Sequence, residues 1–395
     1  MGNSAPAGIC HSFTEDGRCV SLLKLLLTNV CIYDCAYCIN RRTNDIPRAT
    51  FKVTEIVSLT MELYKRNYIE GLFLSSGVIR NADYTMEAML RVAKSLREEH
   101  LFGGYIHLKA IPGASPELIA QAGLYADRMS VNIEIPSESS LQLLAPEKSF
   151  SSVFTPIYQI REGIAAAKSV PRIGWGKSLQ KQQRFVPAGQ STQMIVGASP
   201  ENDLQILSLA SNLYNQQQLK RVYYSGYVPV NADRRLPVLQ TSVPLRRENR
   251  LYQADWLMRF YHFRYDEIVD KSTPYLDQDF DPKLAWALRH PEVFPIDLDR
   301  ADYEMILRIP GIGVRSAKLI IQGRRFGRIR LEHLKRMGVA LNRAKFFIAD
   351  MELPRSLQRL YPEQVKRILL PPAKSKQISF LEHSSQILLP GSLAS

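Results

Sequence analysis

Three cysteines, Cys31, Cys35 and Cys38, stand in a C-x-x-x-C-x-x-C spacing within the stretch 28–42, and an aromatic residue, Tyr37, directly precedes the last of them. Thiolates gathered on so short a loop suit an iron–sulfur cluster. A cluster closed by protein takes four ligands, so three leave one iron open to something else. A structural zinc loop is the alternative, but zinc in such loops takes four protein ligands, and no C-x-x-C pair follows downstream. All five cysteines lie in the first 38 residues. A disulfide-stabilised secreted fold spreads its cysteines; an odd number crowded at one end points to metal chemistry in a reducing compartment. Cys10, His11 and Cys19 are either further ligands or residues packing near the loop.

The elements that must position this loop are legible as an alternation. Apolar strand patterns occur at Val20–Thr28, Leu72–Ser75, Tyr105–Ile111, Met129–Ile135, Met194–Gly197 and Arg221–Val228. Between them lie helical patterns at Thr54–Tyr68, Thr85–His100, Ser115–Gly123 and Glu201–Gln216, with Thr54 and Ser115 as expected caps and Pro116 at a first helical position. Strands alternating with helices predict an α/β fold with a parallel sheet, here a partial (β/α)6 TIM-type barrel over residues 20–235, preceded by an irregular extension, 1–19. Active-site residues of such barrels lie at the strand C-termini, and the cysteine loop follows the first strand. The stretch 171–190 breaks the rhythm. Gly176-Lys177-Ser178 matches the end of a P-loop, but Pro171 stands where its first glycine belongs. Arg172, Lys177, Lys181 and Arg184, interleaved with Trp175 and Phe185, make this either a nucleic-acid path over the barrel mouth or a solvated insertion. Residues 236–295 form an expected helical connector, including an amphipathic helix, Glu248–Phe263, whose Trp256, Phe260 and Tyr261 are expected in the core.

The cysteine spacing with its aromatic resembles that of the radical S-adenosylmethionine (SAM) superfamily. That resemblance implies a 4Fe-4S cluster whose open iron takes the amino and carboxylate groups of SAM, and an enzyme that makes a 5′-deoxyadenosyl radical. It also implies where the cofactor's other parts are held. Ser75-Ser76-Gly77 stands where the superfamily has Gly-Gly-Glu for the methionyl amine, with the acid missing. Asn132 and Glu134 stand where polar residues meet the ribose and carboxylate. Ile195 and Gly197 fall in a Gly-x-Ile-x-Gly-x-x-Glu pattern that supports adenine, although Gln193 replaces the first glycine and Glu201 comes one residue late. Tyr223 and Tyr224 can flank the adenine.

A second motif lies far downstream. Ile309-Pro-Gly-Ile-Gly-Val-Arg-Ser-Ala-Lys318 reads as helix, tight turn, helix, and resembles a helix-hairpin-helix element. Gly311 and Gly313 let backbone approach a phosphate, the amides of the second helix's first turn point at the anion, and Arg315 and Lys318 add charge. Such contacts position DNA without reading its sequence. A weaker copy, with a single turn glycine, Gly338, follows at Leu331–Phe347. From Ala301 to Lys345 there are eleven Lys and Arg against three acids, giving +8 of the chain's formal +13. The reading is an all-helical helix-hairpin-helix DNA-binding domain over 296–350 and a tail, 351–395, with one helix at Pro362–Leu370.

The cysteine motif, the barrel pattern, Leu251–Tyr261 and the C-terminal hairpin together resemble the DNA modification/repair radical SAM proteins, over roughly residues 8–350. The resemblance implies nucleic acid, DNA first, as substrate, an electron donor such as flavodoxin or ferredoxin, and a uracil-DNA-glycosylase-like protein as partner. Two other readings stand beside it: a radical enzyme acting on RNA or nucleotides, and a DNA-binding protein with a structural or redox-sensing cluster. A pI of about 9.5 fits a polyanion partner. The N-terminus shows neither a signal peptide nor a myristoylation pattern, and no stretch reaches the length of a membrane helix, so a cytoplasmic protein without membrane partners is expected.

Overall fold

Strand and helix alternate through the first of two compact units, Met1–Gln278 and Asp279–Ser395. The computed structural model describes residues 8–13, 19–169, 184–349 and 361–370. In the first unit the elements run β1 (Ile9–Phe13), β2 (Cys19–Leu26), α1 (Val53–Lys65), β3 (Gly71–Ser75), α2 (Ala82–Glu98), β4 (Tyr105–Lys109), α3 (Pro116–Tyr125), β5 (Arg128–Ser130), α4 (Glu138–Leu144), α5 (Phe150–Ser169), β6 (Gln190–Val196), α6 (Asp203–Asn215), β7 (Arg221–Gly226), α7 (Leu245–Phe260) and α8 (Tyr265–Ile268). The strands form one curled half-barrel sheet in chain order. β2 to β7 are parallel, as the six-strand pattern predicts.

β1 was not expected. The extension read as irregular folds back antiparallel on β2, with Ile9 opposite Leu23 and Phe13 opposite Cys19. This settles the surroundings of the two spare cysteines. Cys10 lies opposite Leu22, and Cys19 is exposed where β2 begins. A strand advances about 3.3 Å per residue, so Cys19 is about 23 Å of strand from Leu26, where the cysteine loop departs. The helices between Glu138 and Ser169 also escaped sequence reading. α1 starts one residue before its expected cap: Lys52 is the N-cap, and its amide donates to the Glu55 carboxylate at 2.7 Å. Ser115 and Pro116 occupy their expected places at the start of α3, but the Ser115 side chain makes no capping bond.

Strand residues alternate faces, and the alternation is strict. Leu23, Leu72, Leu74, Ile106, Leu108, Met129, Met194, Val196, Val222 and Tyr224 point outward and are buried. Of the connection from α5 to β6, residues 170–183, Arg172, Trp175, Lys177 and Lys181 among them, lie outside the described residues. Its described part, Arg184–Gly189, is anchored on α3 and α5. The Phe185 ring fills the space above Gly123 of α3 and Gly163 of α5, where an added Cβ would come within 2.2 and 2.4 Å of it. A cavity of about 580 Å³, lined partly by Arg161, Lys168, Arg184 and Lys220, sits beside this ring, remote from the cysteines.

The free edge of β7 is sealed by side chains. The Val222 amide donates to the Tyr214 hydroxyl at 3.0 Å, the Tyr224 amide to the Tyr252 hydroxyl at 3.0 Å, and the Gly226 amide to the Glu248 carboxylate at 2.6 Å; Tyr252 returns a bond to the Tyr224 carbonyl at 2.9 Å. Beneath them Asp255, 1% exposed, accepts from Tyr214 and Tyr224 and faces Arg259 at 3.5 Å. An open edge invites pairing with another chain, and α7 closes it. The aromatics expected in the core are not there. Leu251, Ala254 and Leu257 share the inward face of α7, which leaves Trp256 and Phe260 at 49% and 39% exposure.

The second unit contains α9 (Pro282–Arg289), α10 (Tyr303–Arg308), α11 (Val314–Gly323), α12 (Leu331–Arg336), α13 (Leu341–Ala344) and α14 (Pro362–Leu369), with α14 against α9. The expected connector is divided: α7 and α8 belong to the first unit and α9 to the second. The α10–α11 turn docks on the α12–α13 turn through Ala340, whose amide donates to the Gly311 carbonyl at 2.9 Å, and through Ser316, whose hydroxyl donates to the Met337 carbonyl at 2.8 Å. Beyond α14, the tail lies outside the described residues. Among the described residues no helix is long and apolar enough to cross a membrane.

Tyr252→Phe removes both hydroxyl bonds at the β7 edge. We expect a loss of about 1–3 kcal/mol in urea unfolding with no change of fold by circular dichroism.

Candidate active site

The cysteine loop leaves β2 at the sheet's C-terminal end and is tied down along its whole length. The Leu27 amide donates to the Ser75 carbonyl, Gly77 to Thr28 and Ile32 to Val78, each at 2.8 Å, and the Val78 amide reaches the Cys31 sulfur at 3.4 Å. Gly77 is required here: an added Cβ would lie 2.4 Å from the Val30 carbonyl oxygen. The rest of the loop is gathered by three side chains. Arg48 donates to the carbonyls of Asn29, Asn40, Arg41 and Asn44. Asn231, from the segment after β7, donates to the Ala36 and Cys38 carbonyls at 2.6 and 3.0 Å. Arg41 grips Asp34 with two bonds of 2.9 and 2.6 Å and reaches Asp233 at 3.2 Å. Those bonds from Arg41 hold the Asp34 carboxyl well below the usual range. Such groups satisfy a backbone too irregular to pair with itself.

The thiols share one environment. Burial pushes Cys35 up to about 11, opposed by the nearby Lys148 charge. Burial raises Cys38 as well, with Glu134 and Cys31 adding to the shift. Among the described residues no three His, Cys, Asp or Glu side chains gather about a point suited to one metal ion.

The other strand ends close around it. Glu134 stands just past β5 with φ +63°, a backbone region uncommon for a side-chain-bearing residue. Its amide donates to Gln193 and its carbonyl accepts from Ile195. Asn132 donates to the Glu134 carboxylate at 3.1 Å, and the Lys109 ammonium lies 3.8 Å from it. Lys148 donates to the Tyr37 hydroxyl at 3.4 Å. Burial works against the Lys148 charge, but Tyr37, Cys35 and Glu134 around it keep the ammonium protonated. Gly197 ends β6 with φ +87°, and a Cβ there would press on Pro244 at 3.0 Å. Glu201 is buried, accepts from the Ser137 hydroxyl at the head of α4, and has one oxygen unpartnered among the described residues.

A family model matches this region: the Radical SAM superfamily, over residues 25–168. The first unit contains a radical SAM domain. Domains of this superfamily use a 4Fe-4S cluster and SAM. No curated protein matched the chain. Solved structures it is similar to include HydG, a maturase of the [FeFe]-hydrogenase (14% identity, 60% of this chain, 49% of that one, TM-score 0.44), SuiB of Streptococcus suis bound to SAM (11%, 60% and 47%, 0.39) and methylornithine synthase, PylB (14%, 80% and 85%, 0.42). The chain spans about half the length of HydG and SuiB. At such scores these likenesses bear on neither substrate nor reaction.

The residues of the radical SAM domain fit a cluster by their chemistry: three thiols on one rigid loop, each a separate anchor, with an ammonium, Lys148, beside them. The structure brings Cys31, Cys35, Cys38, Tyr37, Ser75, Ser76, Gly77, Asn132, Glu134, Ile195 and Gly197 to one end of the half-barrel. It separates the two tyrosines of β7. Neighbours in a strand face opposite ways, so Tyr223 faces inward while Tyr224 is fully buried against Tyr252, ring centroids 5.3 Å apart. Sequence reading missed Lys109, Lys148, Asn231 and the paired Arg41 and Asp34. Lys109 had a signal, as the charged end of the alternation Tyr105, His107, Lys109. Lys148 had none, since a lysine in a turn ordinarily reads as solvated.

In the second unit, Gly311 has φ +91° and a Cβ there would meet the Ala340 carbonyl oxygen at 2.7 Å. Its smallness therefore serves the packing of the two turns. Gly313 is the N-cap of α11 and offers no side-chain cap. Arg315 and Lys318 are exposed, one turn apart on the same face of α11.

Two outcomes are expected. Gly77→Val forces the loop off β3, so the variant should bind less iron per chain and unfold earlier than wild type. His107, fully buried, is held down to about 3 by its burial first and then by Arg128, Lys109 and Lys24, against an ordinary value of 6.5. The unfolded chain therefore takes up the proton that the fold refuses. Stability is full above pH 6.5 and falls by up to about 1.4 kcal/mol per unit of pH below it. The urea midpoint of wild type should fall between pH 7.5 and pH 5 by more than that of His107→Gln.

Proposed function

We propose that the protein is a radical SAM enzyme acting on nucleic acid, DNA first. Cys31, Cys35 and Cys38 hold a 4Fe-4S cluster, with Tyr37 and Lys148 screening it. The methionyl end of SAM lies against Ser75, Ser76 and Gly77, the ribose and carboxylate near Asn132 and Glu134, and the adenine along Ile195 and Gly197. A cluster held there would supply the electron for reductive cleavage of SAM. The chain's own residues do the rest. The bonds from Arg48, Asn231 and Arg41 hold the cysteine loop still, and the Lys109–Glu134 pair fixes the carboxylate next to Asn132. An external donor such as flavodoxin or ferredoxin delivers the electron.

The nucleic-acid part is supported by the second unit. The α10–α11 turn presents an uncapped ten-residue helix with Arg315 and Lys318 exposed beside it, inside the segment that carries +8. In this reading it is a helix-hairpin-helix that grips phosphates through the amides after Gly313, with Gly311 shaping the turn, and the α12–α13 copy packs against it. A uracil-DNA-glycosylase-like protein is the partner this reading implies.

Reconstituted protein with a reductant should release 5′-deoxyadenosine, and Cys31→Ala, Cys35→Ala or Cys38→Ala should abolish both that release and the cluster's visible absorption. Retention of either in any variant overturns the cluster assignment. Oligonucleotide affinity should fall steeply with salt, and Arg315→Gln/Lys318→Gln should lower the log–log slope by up to about 2. A slope near zero in wild type, or an unchanged slope in the variant, counts against the hairpin. Binding without any SAM cleavage leaves a DNA-binding protein with a structural cluster; cleavage with a preference for RNA moves the substrate.

A further inference from the structure

The concave face of the half-barrel carries more positive charge than the site above it uses. Register aligns Lys24, Phe73, His107 and Arg128 across β2 to β5, and Lys109, Ser130, Ser191 and Arg221 across β4 to β7. The rows are packed side by side. His107 stacks on Phe73 with ring centroids 4.2 Å apart, and its Nε2 lies 2.9 Å from the Ser130 hydroxyl. The Lys24 ammonium is 5.7 Å from the Phe73 ring, and the Arg221 guanidinium is 5.6 Å from Tyr223 and 5.7 Å from Tyr252.

Among the described residues at inward strand positions, Glu134 is the one carboxylate, and Lys109 takes it. Asp255, which also feels Arg221, is committed to Tyr214, Tyr224 and Arg259. The Nε atoms of Arg128 and Arg221 and the hydroxyl of Ser191 are buried with no hydrogen-bond partner among the described residues. Buried polar groups without partners are rare and costly. The face is nonetheless open to a ligand. Lys24 is exposed, and Phe73, Arg128, Gln193, Arg221 and Tyr223 are half-exposed, while the residues alternating with them are buried. Half-barrel interiors filled for stability alone are apolar; this one is built of cations, hydroxyls and aromatic rings.

We propose that Lys24, Arg128 and Arg221 form a substrate subsite for a phosphate group, below the strand ends that would hold SAM. The three cations come from β2, β5 and β7, all at inward positions of the curled sheet. A group met from three strands must offer oxygens in several directions, as tetrahedral phosphate does and a planar carboxylate does not. This deepens the reading above, on which the substrate is a nucleotide within a nucleic acid.

The test is isothermal titration of the full chain, in the Arg315→Gln/Lys318→Gln background to silence the second unit, with thymidine 5′-monophosphate and with thymidine. The monophosphate should bind at least about tenfold more tightly (a factor worth about 1.4 kcal/mol). Arg128→Gln and Arg221→Gln should each remove most of that preference, and Lys24→Gln, at an exposed position, part of it. Equal binding of the two probes by the parent overturns the subsite without recourse to any variant, as does a preference that survives both arginine changes. Oligonucleotide binding by wild type separates the two proposals. If oligonucleotide binds but the monophosphate is not preferred, the subsite is wrong and the nucleic-acid reading stands. If the monophosphate is preferred but no oligonucleotide binds, the subsite stands and the polymer reading fails.

Discussion

A β-strand offers one face to each side, and in this half-barrel the two faces have opposite jobs. The outward positions are leucine, isoleucine, valine and methionine, buried under the helices. They supply the apolar burial that stabilises the unit. The inward positions are thereby released from that duty and carry chemistry: Lys24, His107, Lys109, Arg128, Ser130, Asn132, Glu134, Arg221 and Tyr223. Shift any strand by one residue and both functions fail together, since charged groups would enter the apolar layer. The same period explains why β7 can hold Tyr224 in the core and Tyr223 in the cleft with no residue between them.

That period is also why much of the fold was legible. Six parallel strands, their order and the placing of the cysteine loop follow from apolar runs separated by helical ones. What escaped was structure that depends on partners distant in sequence. Ile9–Phe13 is too short and too mixed to announce a strand, and it becomes one because β2 has a free edge to pair with. Trp256 and Phe260 suggested a buried helix face, but the side of α7 that matters is chosen by the unpaired amides of β7, which need Tyr252 and Glu248.

The candidate site divides in the same way. The ligating cysteines and the small residues after β3 declare themselves, because spacing and side-chain size are local properties. Lys148, Asn231 and Arg41 do not, because their importance comes from what they touch across more than a hundred residues of chain or across an irregular loop. An asparagine in a polar connector looks like solvent-facing punctuation until it is seen donating to Ala36 and Cys38. Asn132 and Glu134 were singled out at the end of the fourth expected strand, whereas Arg128 and Ser130, earlier in the same alternation, were not.

The protonation of the cysteines joins loop rigidity to cofactor loading. Cys35 and Cys38 are held as thiols by burial, and a thiol must lose its proton to bind metal. In the absence of a compensating charge, burial that firm would make thiolate formation on the loop unfavourable at neutral pH. Lys148 offsets part of that burial, acting on both Cys35 and Cys38 in the lowering direction, while burial still prevails. Its ammonium is kept in place by Tyr37, the aromatic between the last two cysteines, through a hydroxyl bond on one side and the ring, 5.9 Å away, on the other. The aromatic residue of the motif therefore does more than fill space. It seats a cation contributed from beyond α4 near thiols that follow β2, two segments that meet only once the half-barrel has formed.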